Sequence, residues 1–162
     1  MAKRFAKRES EKNWQDKLEE IKQKFTGYGD EVNNGISNKE VNSLIQRVKE
    51  EFGISLPEEY IEMLKLINGL EFNGFIIYGA DEELLMGKPK HVVNGLIDNN
   101  KVWYDNEWQK QYLFLGDSSI SWYVYDLEAQ KYLELDKPSG DECQEFNDFD
   151  GMLKKILTDS LV

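Results

Sequence analysis

Cysteine and histidine are almost absent from this sequence, with one of each in 162 residues. A lone Cys143 excludes an internal disulfide and points to a reducing compartment or to no redox role. One cysteine and one histidine also cannot furnish a zinc site of the usual kind. No run approaches the ~18 apolar residues that a membrane span requires. The opening "MAKRFAKRESEKNW" is basic but leads into no apolar core and no cleavage pattern, so it does not read as a signal peptide. These absences predict a soluble, cytoplasmic protein.

Positive charge is also scarce. Lys and Arg total 20 against 31 Asp and Glu, a net charge of -11. Phosphates would be repelled, which argues against nucleic acid and anionic membrane as main partners and suits a basic partner. The balance is uneven: residues 1–24 carry eight basic and five acidic side chains, and 25–162 carry twelve and twenty-six. The basic leader holds a single aromatic before Trp14, too few for a base-stacking surface. It reads as a solvated helix start.

What is present is a foldable chain, 40% hydrophobic and 12% aromatic, long enough for one domain with a core. Trp14, Leu18, Ile21 and Phe25 fall on one stripe of a helix over Ser10–Phe25. "TGYGDEVNNG" (26–35) is loop. Ser37 and Glu40 form a capping box for a second helix with Val41, Leu44, Ile45, Val48 and Phe52 inward, ended by Gly53. A third helix runs from Pro57, whose fixed φ suits a first turn, with Tyr60, Ile61, Leu64 and Ile67 inward. Asn68-Gly69 stops it.

The period then changes. "FNGFIIYG" reads as one buried strand. Residues 80–103 read as a loop and then a short helix near 92–103. "QYLFLGD", "SWYVYDL" and "KYLELDK" are separated by hairpin-length connections and predict a three-stranded antiparallel meander. Phe146–Leu161 returns to helical spacing. The pattern is a single α+β domain over 1–162, with an antiparallel-rich mixed sheet and a C-terminal meander packed by helices.

No catalytic set assembles. Gly116-Asp117-Ser118 looks like the Gly-Asp-Ser block of a class of esterases, but that chemistry needs a histidine after the serine. His91 precedes it, so the block reads as a hairpin turn. "DEE" (81–83), "DE" (141–142) and "DFD" (148–150) lack calcium-loop spacing. No glycine-rich phosphate loop follows a strand. The expectation is no enzyme, no cofactor and no metal. Aromatics crowd the second half, and alternation puts Trp122 and Tyr125 of "SWYVYD" on opposite strand faces. One face therefore reads as more exposed than a helix-covered sheet requires. Exposed aromatics ringed by carboxylates have the composition of a protein-binding surface.

The order of elements resembles the SUKH superfamily, whose members include fungal cell-wall assembly regulators and many bacterial immunity proteins. The matching positions are Gly53, Leu56, Pro57, Tyr60, Leu64, Asn68 and Gly69. Leu115-Gly116, Tyr123 to Asp126, and Phe146 to Phe149 follow later. The likeness spans 37–158, with 1–36 an added helix and loop and 81–91 matching nothing in the family. It implies that the Leu-Pro corner is scaffold. It also implies an immunity protein that neutralises a cognate secreted toxin, a nuclease being the expected kind; a regulatory or adaptor protein is the alternative. Net acidity suits a basic toxin domain. The expected contacts are Asp117, Asp126, Glu128, Asp136, Asp141 and Glu142, with Trp122 or Tyr125 as aromatic anchor.

Overall fold

In the computed structural model the backbone is described for residues 2–162 and side chains from Trp14 onward. Helix α1 (Ala2–Gly27) buries Trp14, Leu18 and Ile21 on the expected stripe. Helix α2 (Asn38–Phe52) opens with both halves of its capping box, Ser37 N donating to Glu40 Oε1 (2.9 Å) and Glu40 N to Ser37 Oγ (3.2 Å). It buries Val41, Leu44 and Val48, whereas Ile45 is 36% exposed. Ile45 lies about 100° around the axis from Leu44, at the margin of the stripe.

Gly53 closes α2 at φ 67°, its N–H donating to Lys49 O. Helix α3 (Glu58–Leu66) begins one residue later than the sequence predicts. Pro57 keeps φ at -61° but has ψ 138°, so it is the cap and not the first helical residue. Its carbonyl still accepts the first helical bond, from Ile61 N at 3.2 Å. Tyr60 and Leu64 are fully buried, and the Tyr60 hydroxyl donates to Tyr78 O at 2.6 Å. Asn68 grips Ala80 on both sides: Ala80 N donates to its Oδ1 (2.7 Å) and its Nδ2 donates to Ala80 O (3.3 Å). The helical corner is thereby fastened to the chain leaving the second strand.

Six strands form one sheet in strict chain order: β1 (Leu70–Phe72), β2 (Phe75–Ile77), β3 (Tyr112–Asp117), β4 (Ser121–Asp126), β5 (Lys131–Asp136) and β6 (Glu142–Phe146). All five pairings are antiparallel. Among the described residues, parallel pairing is limited to an isolated bridge between Gly79 and Gly95. Two strands depart from expectation. "FNGFIIYG" is no single strand but part of a hairpin, turned at Asn73 (φ 49°) and Gly74 (φ 83°), the positive-φ pair that suits an Asn-Gly turn. The "ECQEF" strand β6 has no sequence signal, because four of its five side chains are exposed and leave no alternation to read; Phe146, expected at the start of the last helix, ends this strand instead.

Helix α4 (Leu96–Trp103) starts later than predicted. Helix α5 (Phe149–Ser160) is capped by Asp148, whose Oδ1 accepts from Gly151 N at 2.8 Å. Register puts Tyr123 and Tyr125 on the sheet face that carries Tyr132 and Phe146. There Phe149 of α5 meets Tyr132 (6.0 Å) and Tyr60 (5.8 Å). The other face carries Phe114, Trp122, Val124, Leu133 and Leu135 and is covered by Trp103 and Trp108, 5.5 and 6.0 Å from Trp122. Aromatics occupy both faces of β4 because both are covered, and Trp122 is only 4% exposed.

Candidate partner-binding surface

Surface chemistry here depends on which carboxylates the backbone has already used. Asp117, at the end of β3, accepts a hydrogen bond from the Tyr78 hydroxyl and has Lys137 Nζ 3.8 Å from its other oxygen. Trp103 donates its indole N–H to Tyr78 at 3.0 Å, and burial together with the Asp117 charge holds the Tyr78 phenol far above its usual pKa. Asp126 closes the β4–β5 turn by accepting from the amides of Glu128 and Ala129, both at 3.0 Å, and from Gln111 Nε2 at 3.1 Å. Both aspartates are buried. Their acidity is spent on the fold.

Gly116-Asp117-Ser118 is the start of a tight turn, as the spacing implied. Ser118 Oγ accepts from Ser121 N at 3.2 Å, and Ser118 O accepts from Lys137 Nζ at 3.0 Å. His91 is engaged elsewhere. Its Nε2 lies 3.0 Å from Asp30 Oδ1 and its ring meets Phe25 edge-on, in a cleft of about 240 Å³ lined by no serine or cysteine. Among the described residues, no group of three or more His, Cys, Asp or Glu side chains could hold a metal ion. Segment 81–91 acts as a strap. Glu83 pairs with Arg47 (3.2 Å), Met86 N donates to Glu40 Oε2 (2.9 Å), Lys90 pairs with Glu31, and His91 N donates to Asn33 Oδ1 (2.8 Å).

The remaining predicted contacts divide. Glu128, Asp141 and Glu142 are exposed, and Asp136 is half-buried with Ser139 Oγ donating to it at 2.7 Å. Trp122 is interior. Tyr125 is half-buried on the α5 side, its ring 4.8 Å from Tyr132. Tyr112 brings several of these groups to one place: burial raises its phenol pKa first, and the charges of Asp126, Glu142 and Glu128 raise it further.

Against Tyr112 (6.4 Å) stands Trp108, in a short 3₁₀ turn over Glu107–Gln111. Trp108 is 43% exposed, and its indole rests on Gly140, where any Cβ would collide with the ring. The sequence offered little to separate it from its neighbours: "DNEWQKQ" is polar and places its tryptophan on no apolar stripe. Glu107, Glu128, Asp141 and Glu142 supply exposed carboxylates on this side of the molecule, and Ile120, 69% exposed, sits in the adjoining turn, its carbonyl accepting from Lys137 N at 3.0 Å. Glu107 already pairs with Lys110 at 2.9 Å; an accessible indole beside the other carboxylates can bury apolar area against a protein while attracting Lys and Arg.

No helix is long and apolar enough to cross a membrane among the described residues. No curated protein matches the chain. Residues 42–136, from the second turn of α2 to the end of β5, match the model of the SUKH family described as SMI1-KNR4 cell-wall. The match covers more than half of the sequence and takes in the Leu-Pro corner and strands β1 to β5. The chain belongs to the SUKH superfamily.

Proposed function

We propose that this protein is a non-enzymatic immunity protein that binds a basic secreted toxin domain, a nuclease being the expected kind, and blocks it stoichiometrically. The family implies binding of a protein partner in general. The observation that supports the finer reading is the accessible Trp108 with Glu128, Asp141 and Glu142 exposed on the same side of a molecule of net charge -11. Complementary charge of this kind accelerates encounter more than it slows release.

The test is co-expression with the product of a neighbouring toxin gene, followed by binding kinetics on the purified pair. Association should slow steeply between low and physiological salt while dissociation changes less. Glu128→Lys, Asp141→Lys and Glu142→Lys together should lower the on-rate at least about tenfold with the fold unchanged. Binding indifferent to both would place the interface elsewhere. Failure to protect cells would favour the adaptor reading.

A further inference from the structure

The sheet has two edges, and they differ. The β1 edge is three residues long; Leu70 and Glu71 line the cleft walled by Phe25, Val92 and Val93, and Phe72 packs 5.9 Å from Phe25. The β6 edge is longer and bare. Glu142, Cys143, Gln144 and Glu145 are all exposed, and among the described residues nothing pairs with the outer side of this strand. An antiparallel edge turns alternate pairs of N–H and C=O groups outward, a template for a further strand.

The side chains decide what that strand can be. The register sets Glu145 opposite Leu133 and Glu142 opposite Leu135, with a shift between Glu134 and Leu135 that leaves Cys143 as the extra residue. Glu142 and Glu145 thus point to the face that carries Trp108. If two copies paired antiparallel about the middle of β6, Glu142 of each would meet Glu145 of the other, and like charges directly opposite are destabilising. A strand bearing Lys or Arg at alternate positions would meet both carboxylates favourably. Lys131, 3.4 Å from Glu145, shows this pairing across the sheet already.

We infer that the outer edge of β6 takes up an extended basic segment of the partner protein by strand addition, with main-chain bonds holding it and Glu142 and Glu145 selecting its charge. This deepens and rests on the reading that the chain binds a basic protein. The experiment is amide hydrogen exchange on the full chain, with a blocked peptide of roughly ten alternating Lys and Val residues, and with its Glu-Val counterpart. Exchange at 142–146 should slow about tenfold or more with the basic peptide only. Glu142→Lys with Glu145→Lys should abolish the effect and leave the melting temperature unchanged.

Unchanged exchange at saturating basic peptide would overturn the inference, as would protection that survives the charge reversal. Protection that grows with protein concentration alone would assign the edge to a second copy. A toxin domain that binds while 142–146 exchange freely would remove the strand-addition inference and leave the proposed function standing. Peptide protection with no toxin binding would do the reverse.

Discussion

Asp81 caps the helix that Gly95 introduces: its Oδ1 accepts from Ile97 N at 2.9 Å and its Oδ2 from Asp98 N at 3.0 Å. Gly95 has no side chain to cap α4 itself, and the Asp81 carboxylate occupies the space that a Cβ there would need. Gly95→Ala should therefore cost about 1–3 kcal/mol, as overpacking does. Asp81→Ala should cost about 1–2 kcal/mol through the lost cap. Urea unfolding reads both, and a Gly95→Ala protein as stable as the parent would show that the contact relaxes freely.

Two carboxylates should respond to acid in opposite senses. Burial raises the pKa of Asp81 above its ordinary 3.8, although the two amides pull it down. Its contribution to stability is full below pH 3.8 and lost as pH rises through the higher folded value, so Asp81→Asn should gain on the parent as pH climbs from 3 to 7. Glu40 is the reverse. The Ser37 amide chiefly lowers its pKa from 4.5, with the Met86 amide helping against burial. Its contribution is present above pH 4.5 and lost as pH falls through the lower folded value, so Glu40→Gln should lose to the parent above about pH 4.5 and draw level in acid. Denaturation midpoints across that range show whether the two slopes differ in sign.

Neighbouring positions in the helical corner should separate sharply. Leu64→Ala empties a fully buried site and should cost about 2–5 kcal/mol; Ile45→Ala, at the exposed margin of α2, should stay within ~0.5 kcal/mol. Asn68→Ala strands both the amide and the carbonyl of buried Ala80, at about 1–3 kcal/mol for each group. Chemical denaturation of the three variants distinguishes an anchored corner from a loosely packed one.

The tryptophans divide by role. Trp122→Ala should destabilise by about 3–5 kcal/mol, since it removes the centre of the Phe114–Trp103–Trp108 cluster. Trp108→Ala should cost less in melting temperature and more in partner affinity. Calorimetry beside binding kinetics decides it; equal stability losses with unchanged binding would place Trp108 in the fold alone.

The sequence makes the central meander and the capping box visible because each has a local cause: alternating apolar residues between short turns, and Ser37 three residues before Glu40. The β1–β2 hairpin had a signal too, the Asn73-Gly74 dipeptide, but strands of three residues gave it too little pattern on either side. The burial of Asp117 and Asp126 was hidden for a physical reason. The Tyr78 hydroxyl that Asp117 accepts from is 39 residues away, whereas Asp126 bonds the amides of Glu128 and Ala129 in a local turn that an aspartate at the end of a strand signals; charge alone suggested surface for both. The sequence likewise offers Trp122 or Tyr125 as the aromatic anchor, because nothing local reveals that Trp103 and Trp108 pack against Trp122.

The strict chain order of the sheet also bears on how the protein is made. Each strand pairs only with its predecessor and successor, so loops closed during assembly are mostly short and the entropic barrier of each step is low. On a ribosome the meander could zip up as it emerges. The exception is α1, whose Trp14 and Leu18 share an apolar seam with Leu153 and Leu157 of α5. Helix α1 is made before α5 and has to wait, its apolar stripe only partly covered by Met63, Ile67 and Ile77, for the helix that follows the whole sheet. That interval is when the nascent chain is most open to misassembly, and substitutions along the seam should lower soluble yield before they lower the melting temperature of the protein that does fold.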